Sequence, residues 1–389
     1  MRRPQSPSIG FIFTSAALVA AMLIAAVRVT AFAAGRGGKE AAQVTGRLLA
    51  MPHIKAAPGF TADIVVPPGD LYDPLQMVPH GDVVWVNDDG GESAKGGGRL
   101  VAVDQLGIVS VLASPDNMLP DVGMDVATEN FCPFGGELFL LTQPSKGDKG
   151  LWANHLIQRR NPESGRLEPF CTLPSAGTAG HGIAGAGSAL WFGPQQSPFG
   201  GRIFAVTTQN HMVYQATSDG KCSPFADFGQ LGLPLELTFT PDHLWMLVSV
   251  TPTSAAGALD AKARRGMIMK VSPKGEIDPK PMVWGLSIAG GMAFAPPSFK
   301  WFGGQLFFTD LGEFETPVPM TQPLKPDGTV MRLSKGGIPK LVASGFINPL
   351  HLRFIRNKLW VSDINGDFIG GKRELPDGFV VKIGALPTL

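Results

Sequence analysis

FGGQLFFTD, residues 302–310, is the last of three copies of one pattern, after FGGELFLLT at 134–142 and FGGRIFAVT at 199–207. A glycine pair suits a tight reversal of the chain, and the apolar run that follows is typical of a buried strand. Similar apolar runs with one aromatic residue recur along the chain, so that the aromatic positions lie 41 to 65 residues apart: Trp85, Phe139, Phe204, Trp245, Phe307 and Trp360. A repeat of this length indicates stacked structural units.

Each run is followed by a second apolar stretch and a glycine turn, which predicts four antiparallel strands per unit. The sixth unit is short of a strand, because only residues 384–389 follow its third strand at 380–383. Phe60, Ala62 and Ile64 alternate in a strand-like pattern before the first unit and supply the missing strand. The sequence therefore predicts an all-β fold, a six-bladed β-propeller over residues 58–386 that an N-terminal strand closes.

The N-terminus carries the pattern of an export signal. Arg2 and Arg3 precede an apolar run from Ile9 to Val27, and a small-residue cleavage pattern follows at 31–33. We predict a signal peptide over 1–34, a linker over 35–57, and an exported, periplasmic or extracellular protein. The alternative is an uncleaved membrane anchor, since the apolar run is long enough to cross a bilayer.

Cysteine usage permits one intrachain disulfide at most, because the chain has 3 cysteines. Cys132 and Cys171 lie in the same predicted repeat, and we expect them to pair. For each cysteine, Cys222 included, a buried free thiol is the alternative.

Charge and missing motifs exclude several classes of function. Lys plus Arg number 33 and Asp plus Glu number 32, so no positive excess attracts nucleic acid, and membrane contact is expected only through an uncleaved N-terminal segment. The chain lacks the signatures of zinc metalloproteases, P-loop NTPases and α/β-hydrolases. The expected partner is a small-molecule substrate or ligand.

Long insertions between the second and third strands of the repeats fall on one face of the predicted disc, which favours that face as the working face. Polar residues at the starts of the first strands would surround the channel mouth there: Asp73, Asp121, His181, Glu236, Asn348 and His351. Such a ring can supply the oxygen ligands that Ca²⁺ requires. The alternative is that each is a solvated or turn-capping residue. We assign turn capping, of the turn that follows, to Asp88, Asp310 and Asp363 at the ends of second strands.

Two segments resemble a known family. VWGLS at 283–287 before GMAF at 291–294, and GFINP at 345–349 before Leu352, resemble the G-x-R-N-P segment of glucose/sorbosone dehydrogenase-like propellers, and VSD at 361–363 resembles the V-x-D that follows it. That resemblance implies a propeller that can hold pyrroloquinoline quinone and calcium. Ser287 and Ile347 replace the expected arginines, so pyrroloquinoline quinone is not predicted here.

The repeat pattern over 58–386 also resembles the SMP-30/gluconolactonase and NHL-type propellers. The first of these families implies a divalent ion on a Glu, an Asn and an Asp near the channel mouth, and Asp121, Glu236 and Asn348 are the matching residue types.

Three functions follow. The first is a lactonase or esterase that uses a divalent ion on Asp121, Glu236 and Asn348, with His181 as general base or substrate contact and Asp73 and His351 as substrate contacts. The second is a quinone-dependent sugar or polyol dehydrogenase, and the third is a non-catalytic binding scaffold.

Overall fold

The computed structural model describes residues 51–88, 98–113, 121–142, 145–146, 152–153, 155–174, 189–252, 264–312, 327–364 and 376–387, with backbone only at 121–122, 145–146, 152–153 and 209. The predicted signal peptide and most of the linker lie outside these ranges. Within them no helix is long and apolar enough to cross a bilayer.

The described residues form six sheets arranged as blades and one separate two-stranded hairpin, which confirms the predicted six-bladed β-propeller. Two strands precede the first blade: β1 (Lys55–Ala56) and β2 (Phe60–Leu71). Blade one contains β3 (Pro74–His80), β4 (Val83–Asp88), β5 (Arg99–Val103) and β6 (Val109–Ala113). Blade two contains β7 (Asp121–Val126), β8 (Leu138–Thr142), the small hairpin β9 (Ser145–Lys146) and β10 (Trp152–Ala153), then β11 (Leu156–Arg160) and β12 (Leu167–Thr172).

The remaining blades repeat the same order. Blade three contains β13 (Ala189–Phe192), β14 (Arg202–Thr207), β15 (Met212–Thr217) and β16 (Cys222–Asp227). Blade four contains β17 (Leu233–Phe239), β18 (Met246–Thr251), β19 (Gly266–Val271) and β20 (Val283–Leu286). Blade five contains β21 (Ala289–Phe294), β22 (Leu306–Asp310), β23 (Gly328–Leu333) and β24 (Pro339–Phe346), and blade six contains β25 (Pro349–Ile355), β26 (Lys358–Asp363) and β27 (Gly378–Ala385). Single turns of 3-10 helix lie at Thr208–Asn210 and Lys300–Phe302.

The N-terminal strand closes the ring as the alternation of Phe60, Ala62 and Ile64 predicts. β2 pairs antiparallel with β27, with Ala62 opposite Ile383, and becomes the outer strand of blade six. The structure adds one pairing that the sequence did not predict: β1, which lies inside the predicted linker, pairs with β24 and gives blade five a fifth strand.

The repeated glycine pair has two different roles. The second glycine of each copy, Gly136, Gly201 or Gly304, has a φ of 83°, 70° or 74°, a left-handed conformation that side chains disfavour. The first glycine allows a close approach of two chain segments: a Cβ at Gly303 would lie 2.8 Å from the Pro297 carbonyl oxygen. The pattern therefore marks the turn between the first and second strands of a blade.

The disulfide prediction is wrong in its pairing. Cys171 in β12 bonds to Cys222 in β16, with their Cα atoms 6.2 Å apart, and Cys132 is exposed with a free thiol. The reason is the ring geometry, because the outer strands of neighbouring blades lie side by side. Cys132 lies instead in the turn between β7 and β8 and is part of neither outer strand, β12 or β16.

Candidate functional site in the central channel

The first strands of the blades form a ring of their own. Each of β3, β7, β13, β17, β21 and β25 contacts the first strand of the next blade, and β25 contacts β3. Side chains on these strands therefore meet in the centre of the disc. The channel residues described below come from five of the blades: one, two, three, four and six.

Aspartates at the ends of the second strands fix the channel mouth. Asp88 accepts hydrogen bonds from the backbone N–H groups of Tyr72 and Asp73 at 2.9 and 2.8 Å. Equivalent pairs run from Ser287 and Ile288 to Asp310, and from Ile347 and Asn348 to Asp363. The prediction that these aspartates cap a turn is thus confirmed, but the turn is the one before the first strand and not the one after the second strand. Each holds the turn that leads into the first strand of its own blade, and Asp310 also binds the following turn, at Gly312.

Glu236 of β17 is the centre of the channel site. Its Oε1 accepts hydrogen bonds from Trp191 Nε1 at 2.7 Å, from the Leu237 backbone N–H at 3.0 Å and from Gln76 Nε2 at 3.2 Å, while Oε2 accepts only the second Gln76 contact, at 3.3 Å. Burial raises the pKa of Glu236 to about 7, although these donors and the charge of Arg353 oppose the rise. Because Oε1 is saturated with donors, the proton of the neutral form belongs on Oε2.

Gln76 of β3 reaches Glu236 across the whole channel, from blade one to the opposite blade four. Its orientation is fixed, since its Oε1 accepts hydrogen bonds from the backbone N–H groups of Met124 at 2.7 Å and Leu190 at 3.1 Å. The Nε2 group is therefore committed to the carboxyl of Glu236.

His351 of β25 faces the open oxygen of Glu236. Its Nε2 lies 3.8 Å from Glu236 Oε2, and the side chain is 1% exposed. Neither ring nitrogen has a hydrogen-bond partner among the residues that the structure describes. Burial, helped by the positive charge of Arg353, holds the pKa of His351 well below its ordinary value, so the ring is neutral.

A partly buried ion pair packs against Trp191 beside this site. Arg353 donates to Asp125 Oδ1 at 2.9 Å, and its guanidinium lies over the Trp191 ring, 4.5 Å from the centroid. Asp125 Oδ2 in turn accepts a hydrogen bond from the Phe192 backbone N–H at 3.0 Å. The pair therefore holds Trp191 in place and neutralises its own charge, which leaves the site beside it without a net charge.

Two glycines allow the first strands to approach closely. A Cβ at Gly291 of β21 would lie 2.7 Å from His351 Cα, and one at Gly123 of β7 would lie 2.6 Å from the Leu190 backbone nitrogen. Neither distance is compatible with a side chain. Blades two and five thus support the site residues of blades three and six by backbone contact.

The predicted site residues have different positions. Glu236 and His351 come together in the channel. Asn348 lies three residues before His351, buried, with an Oδ1 that has no partner in the described part of the chain. Asp73 is buried at the channel mouth of blade one. The backbone of Asp121 opens β7, but its side chain lies outside the described set, as does the whole of His181.

The described donors fit a calcium ion poorly. A cation requires the ionised carboxylate with free oxygens, whereas three N–H groups occupy Oε1 of Glu236 and burial favours its proton. Asn348 Oδ1 is the one buried acceptor of the predicted ligand set that the structure leaves open. No cluster of three or more His, Cys, Asp or Glu with the spacing of a metal site occurs among the described residues. Calcium therefore stays a prediction.

Four channel residues were not predicted: Gln76, Asp125, Trp191 and Arg353. Gln76 and Trp191 are each third in their strands, as deep as His351 in β25 and one position less deep than Glu236 in β17. Asp125 and Arg353 are each fifth in theirs, so strand position alone does not separate the predicted residues from the others. A polar residue inside an otherwise apolar strand was the available signal, because such a residue in β3, β7 or β25 must find a partner.

Comparisons with known proteins support the architecture. No protein-family profile and no curated protein matches the chain. Among solved structures, an oxidoreductase described as a glucose dehydrogenase from Thermus thermophilus has a TM-score of 0.54 and 16% identity, covering 84% of this chain and 100% of that one. The soluble aldose sugar dehydrogenase of Escherichia coli has a TM-score of 0.54 and 14% identity, with 84% and 100% coverage.

A third similar structure is an auxiliary nutrient binding protein from Bacteroides ovatus, with a TM-score of 0.53, 11% identity, and coverage of 85% of this chain and 77% of that one. At these identities the likeness is one of fold. The predicted resemblance to sugar dehydrogenase-like propellers is confirmed at that level.

Proposed function

We propose that this propeller is an exported enzyme that hydrolyses small uncharged esters or lactones in its channel. The observation that carries the proposal is the pair of Glu236 and His351, whose Oε2 and Nε2 face each other 3.8 Å apart in a buried site. The Cys171–Cys222 disulfide supports export, because such bonds persist in oxidising compartments.

The two groups have different protonation states. Glu236, whose pKa is about 7, can in its ionised form take a proton from a water molecule as the water attacks the carbonyl carbon, and then give that proton to the alcohol oxygen as the ester bond breaks. His351 has a pKa well below its ordinary value and stays neutral, so it can orient the substrate by a hydrogen bond. The buried Asn348 Oδ1 offers an acceptor for a hydroxyl of the substrate.

The charge of the site favours an uncharged substrate. Asp125 neutralises Arg353, and burial favours the neutral forms of both Glu236 and His351. A charged group brought to this site would lose its hydration without gaining a counter-charge, which costs several kcal/mol. Esters and lactones meet this requirement, and their hydrolysis needs a proton to be taken from water and returned to the alcohol oxygen, which Glu236 can do.

The test is a panel of lactones and esters assayed with the purified protein and with Glu236→Gln and Glu276→Gln. Glu276 is an exposed glutamate of the same blade and serves as the matched control. We expect Glu236→Gln to lower kcat/KM about 10²- to 10⁴-fold and Glu276→Gln to leave it unchanged. Turnover that survives in Glu236→Gln would contradict the assignment. A parallel assay with a chelator decides the calcium prediction, since loss of turnover that calcium restores would support an ion.

Sugar or polyol oxidation is a second candidate, favoured by the fold likeness to the glucose and aldose sugar dehydrogenases. It predicts dye reduction on addition of a quinone cofactor and a sugar. A non-catalytic binding scaffold, favoured by the likeness to the nutrient binding protein, predicts ligand binding without turnover in either assay.

A further inference from the structure

Positive charge is concentrated on two neighbouring blades, although Lys plus Arg number 33 and Asp plus Glu number 32 in the whole chain. The described stretches 289–309 and 328–362, which form most of blade five and of the first two strands of blade six, contain no Asp or Glu. Asp310 and Asp363 follow these stretches directly and lie at the channel mouth. The acidic residues that balance the charge thus lie elsewhere. The basic residues of the two stretches are Lys300, Arg332, Lys335, Lys340, Arg353, Arg356 and Lys358.

One turn of blade five is the centre of this charge. The turn at 295–305 joins the first and second strands on the face opposite the channel mouth, and Trp301 lies within it. Gln305 Nε2 donates to the Trp301 carbonyl oxygen at 3.2 Å, and Arg332 donates to Gln305 Oε1 at 2.7 Å. These bonds connect the turn to β23. The turn at 334–338 follows β23 on the same face, because alternate turns of an antiparallel blade share one face.

The same turn also contacts blade six. The Ser298 hydroxyl donates to the Asn357 side-chain oxygen at 3.1 Å, in the turn directly before Lys358. Lys300 Nζ donates to the Ala385 carbonyl oxygen at 3.1 Å, at the end of β27. The lysines of the two blades therefore belong to one continuous surface.

This surface combines positive charge with exposed apolar side chains. We call it the basic patch, and it consists of Lys300, Trp301, Lys335, Ile338, Lys340 and Lys358. All six residues are exposed, Trp301 by 68% and Ile338 by 58%. None of the four lysines forms an ion pair with a residue that the structure describes. Arg356 is left out of the patch because it pairs with Asp82 at 2.7 Å.

We propose that the basic patch binds the surface of a membrane that contains anionic lipids. Lysines are attracted to acidic headgroups, and a tryptophan or aliphatic side chain beside them enters the boundary between headgroups and acyl chains. An acidic polymer would also attract the lysines but would leave Trp301 and Ile338 in water. A stable protein–protein interface requires about 20–30 residues on each side, many more than the patch presents. The net charge of the chain predicts no such contact, and the segregation of charge in the folded ring supports it.

Binding through this patch leaves the channel open to solvent. The channel mouth lies at the starts of the first strands, whereas the patch lies on the face where these strands end. A change in the patch should therefore alter membrane binding and leave the channel chemistry unchanged. This separation makes the proposal independent of the proposed hydrolase function.

The experiment measures co-sedimentation of the purified protein with two kinds of vesicle, phosphatidylcholine alone and phosphatidylcholine with about 30% phosphatidylglycerol. We expect binding to the anionic vesicles to be about tenfold tighter or more. An uncleaved N-terminal segment would bind both kinds of vesicle, so the ratio of the two affinities isolates the patch.

Two lysine substitutions test the charge of the patch. Lys335→Ala combined with Lys340→Ala should weaken binding to the anionic vesicles about 25-fold, since each lysine near an anionic surface contributes about fivefold. The matched control combines Lys274→Ala with Lys280→Ala, which removes two exposed lysines of blade four. We expect this control to bind like the wild type.

One aromatic substitution distinguishes lipid from another acidic partner. Trp301→Ala should weaken binding to the anionic vesicles about tenfold, whereas Trp284→Ala, which removes a tryptophan 57% exposed in β20, should not. Equal binding of the wild type to both kinds of vesicle or wild-type affinity of the lysine variant would overturn the proposal. Wild-type affinity of Trp301→Ala would also overturn it, because that result is expected for an acidic polymer or protein that contacts the lysines alone.

Discussion

Glu236→Gln should remove a pH dependence of stability that the buried carboxyl imposes on the fold. In the unfolded chain this carboxyl ionises near 4.5, whereas in the folded protein burial raises its pKa to about 7. Between these values the folded state holds a proton that the unfolded state has released, so the free energy of unfolding falls as the pH rises. The difference between the two pKa values corresponds to about 3 kcal/mol, at about 1.4 kcal/mol per pH unit.

The measurement is urea-induced unfolding at a series of pH values that spans the window from 4.5 to about 7 and extends beyond both ends. The free energy of unfolding of Glu236→Gln minus that of the wild type should increase by about 3 kcal/mol as the pH rises across the window. Above the window this difference should stay constant. Burial also raises the pKa of Asp88, but both proteins retain Asp88, so its effect cancels in the difference. The free energy of unfolding of Glu276→Gln should change with pH in the same way as that of the wild type.

Parallel curves for Glu236→Gln and the wild type would refute the reasoning, because they would mean that water or a counter-charge stabilises the ionised form. In addition to the pH-dependent difference, we expect the free energies of unfolding of Glu236→Gln and the wild type to differ by an amount that is the same at every pH. The Nε2 group of Gln76 cannot turn away from residue 236, so the new amide has a poorer partner at that position.

Three further predictions concern the same ring. Gly291→Ala should lower stability by about 1–3 kcal/mol in a thermal melt, because its Cβ would lie 2.7 Å from His351 Cα, whereas Gly336→Ala, with nothing within 4 Å, should melt like the wild type. Cys171→Ser should lose about 2–4 kcal/mol, since the bridge spans 51 residues, and a reducing agent should destabilise the wild type but not this variant. Trp191→Phe removes the 2.7 Å donor to Glu236 and should move the pH window of the wild type upward, because that donor favours the ionised form; an unmoved window would contradict it.

The architecture could be predicted because each blade repeats local signals. The glycine pair at 134–136 and its two copies mark one turn type, and the alternation of Phe60, Ala62 and Ile64 marks a strand without a partner nearby. β1 escaped prediction because two residues carry no periodicity. Nearness in the sequence does not predict the disulfide, because the outer strands of adjacent blades bring Cys171 and Cys222 together although they are 51 residues apart.

The site could be predicted only in part, since it is built from non-local contacts. Glu236 and Gln76 are 160 residues apart and belong to opposite blades, and no local pattern connects them. Glu236 and His351 could be predicted as channel residues, but Gln76 and Trp191 lie at similar positions in their strands, and nothing in the sequence pairs them with Glu236. A ring places any residue of one inner strand near residues of several others, so residue type and strand position leave many pairings open.

The same geometry makes the site a property of the closed ring. Gln76, Trp191, Glu236 and His351 come from blades one, three, four and six, and β2 joins the first part of the chain to β27 at its end. In a ring that is open between β2 and β27, water would reach Glu236 and its pKa would return toward the ordinary value. The pH dependence that Glu236→Gln removes is therefore also a measure of closure, and a variant that weakens the β2–β27 pairing should lose that dependence before it loses its blades.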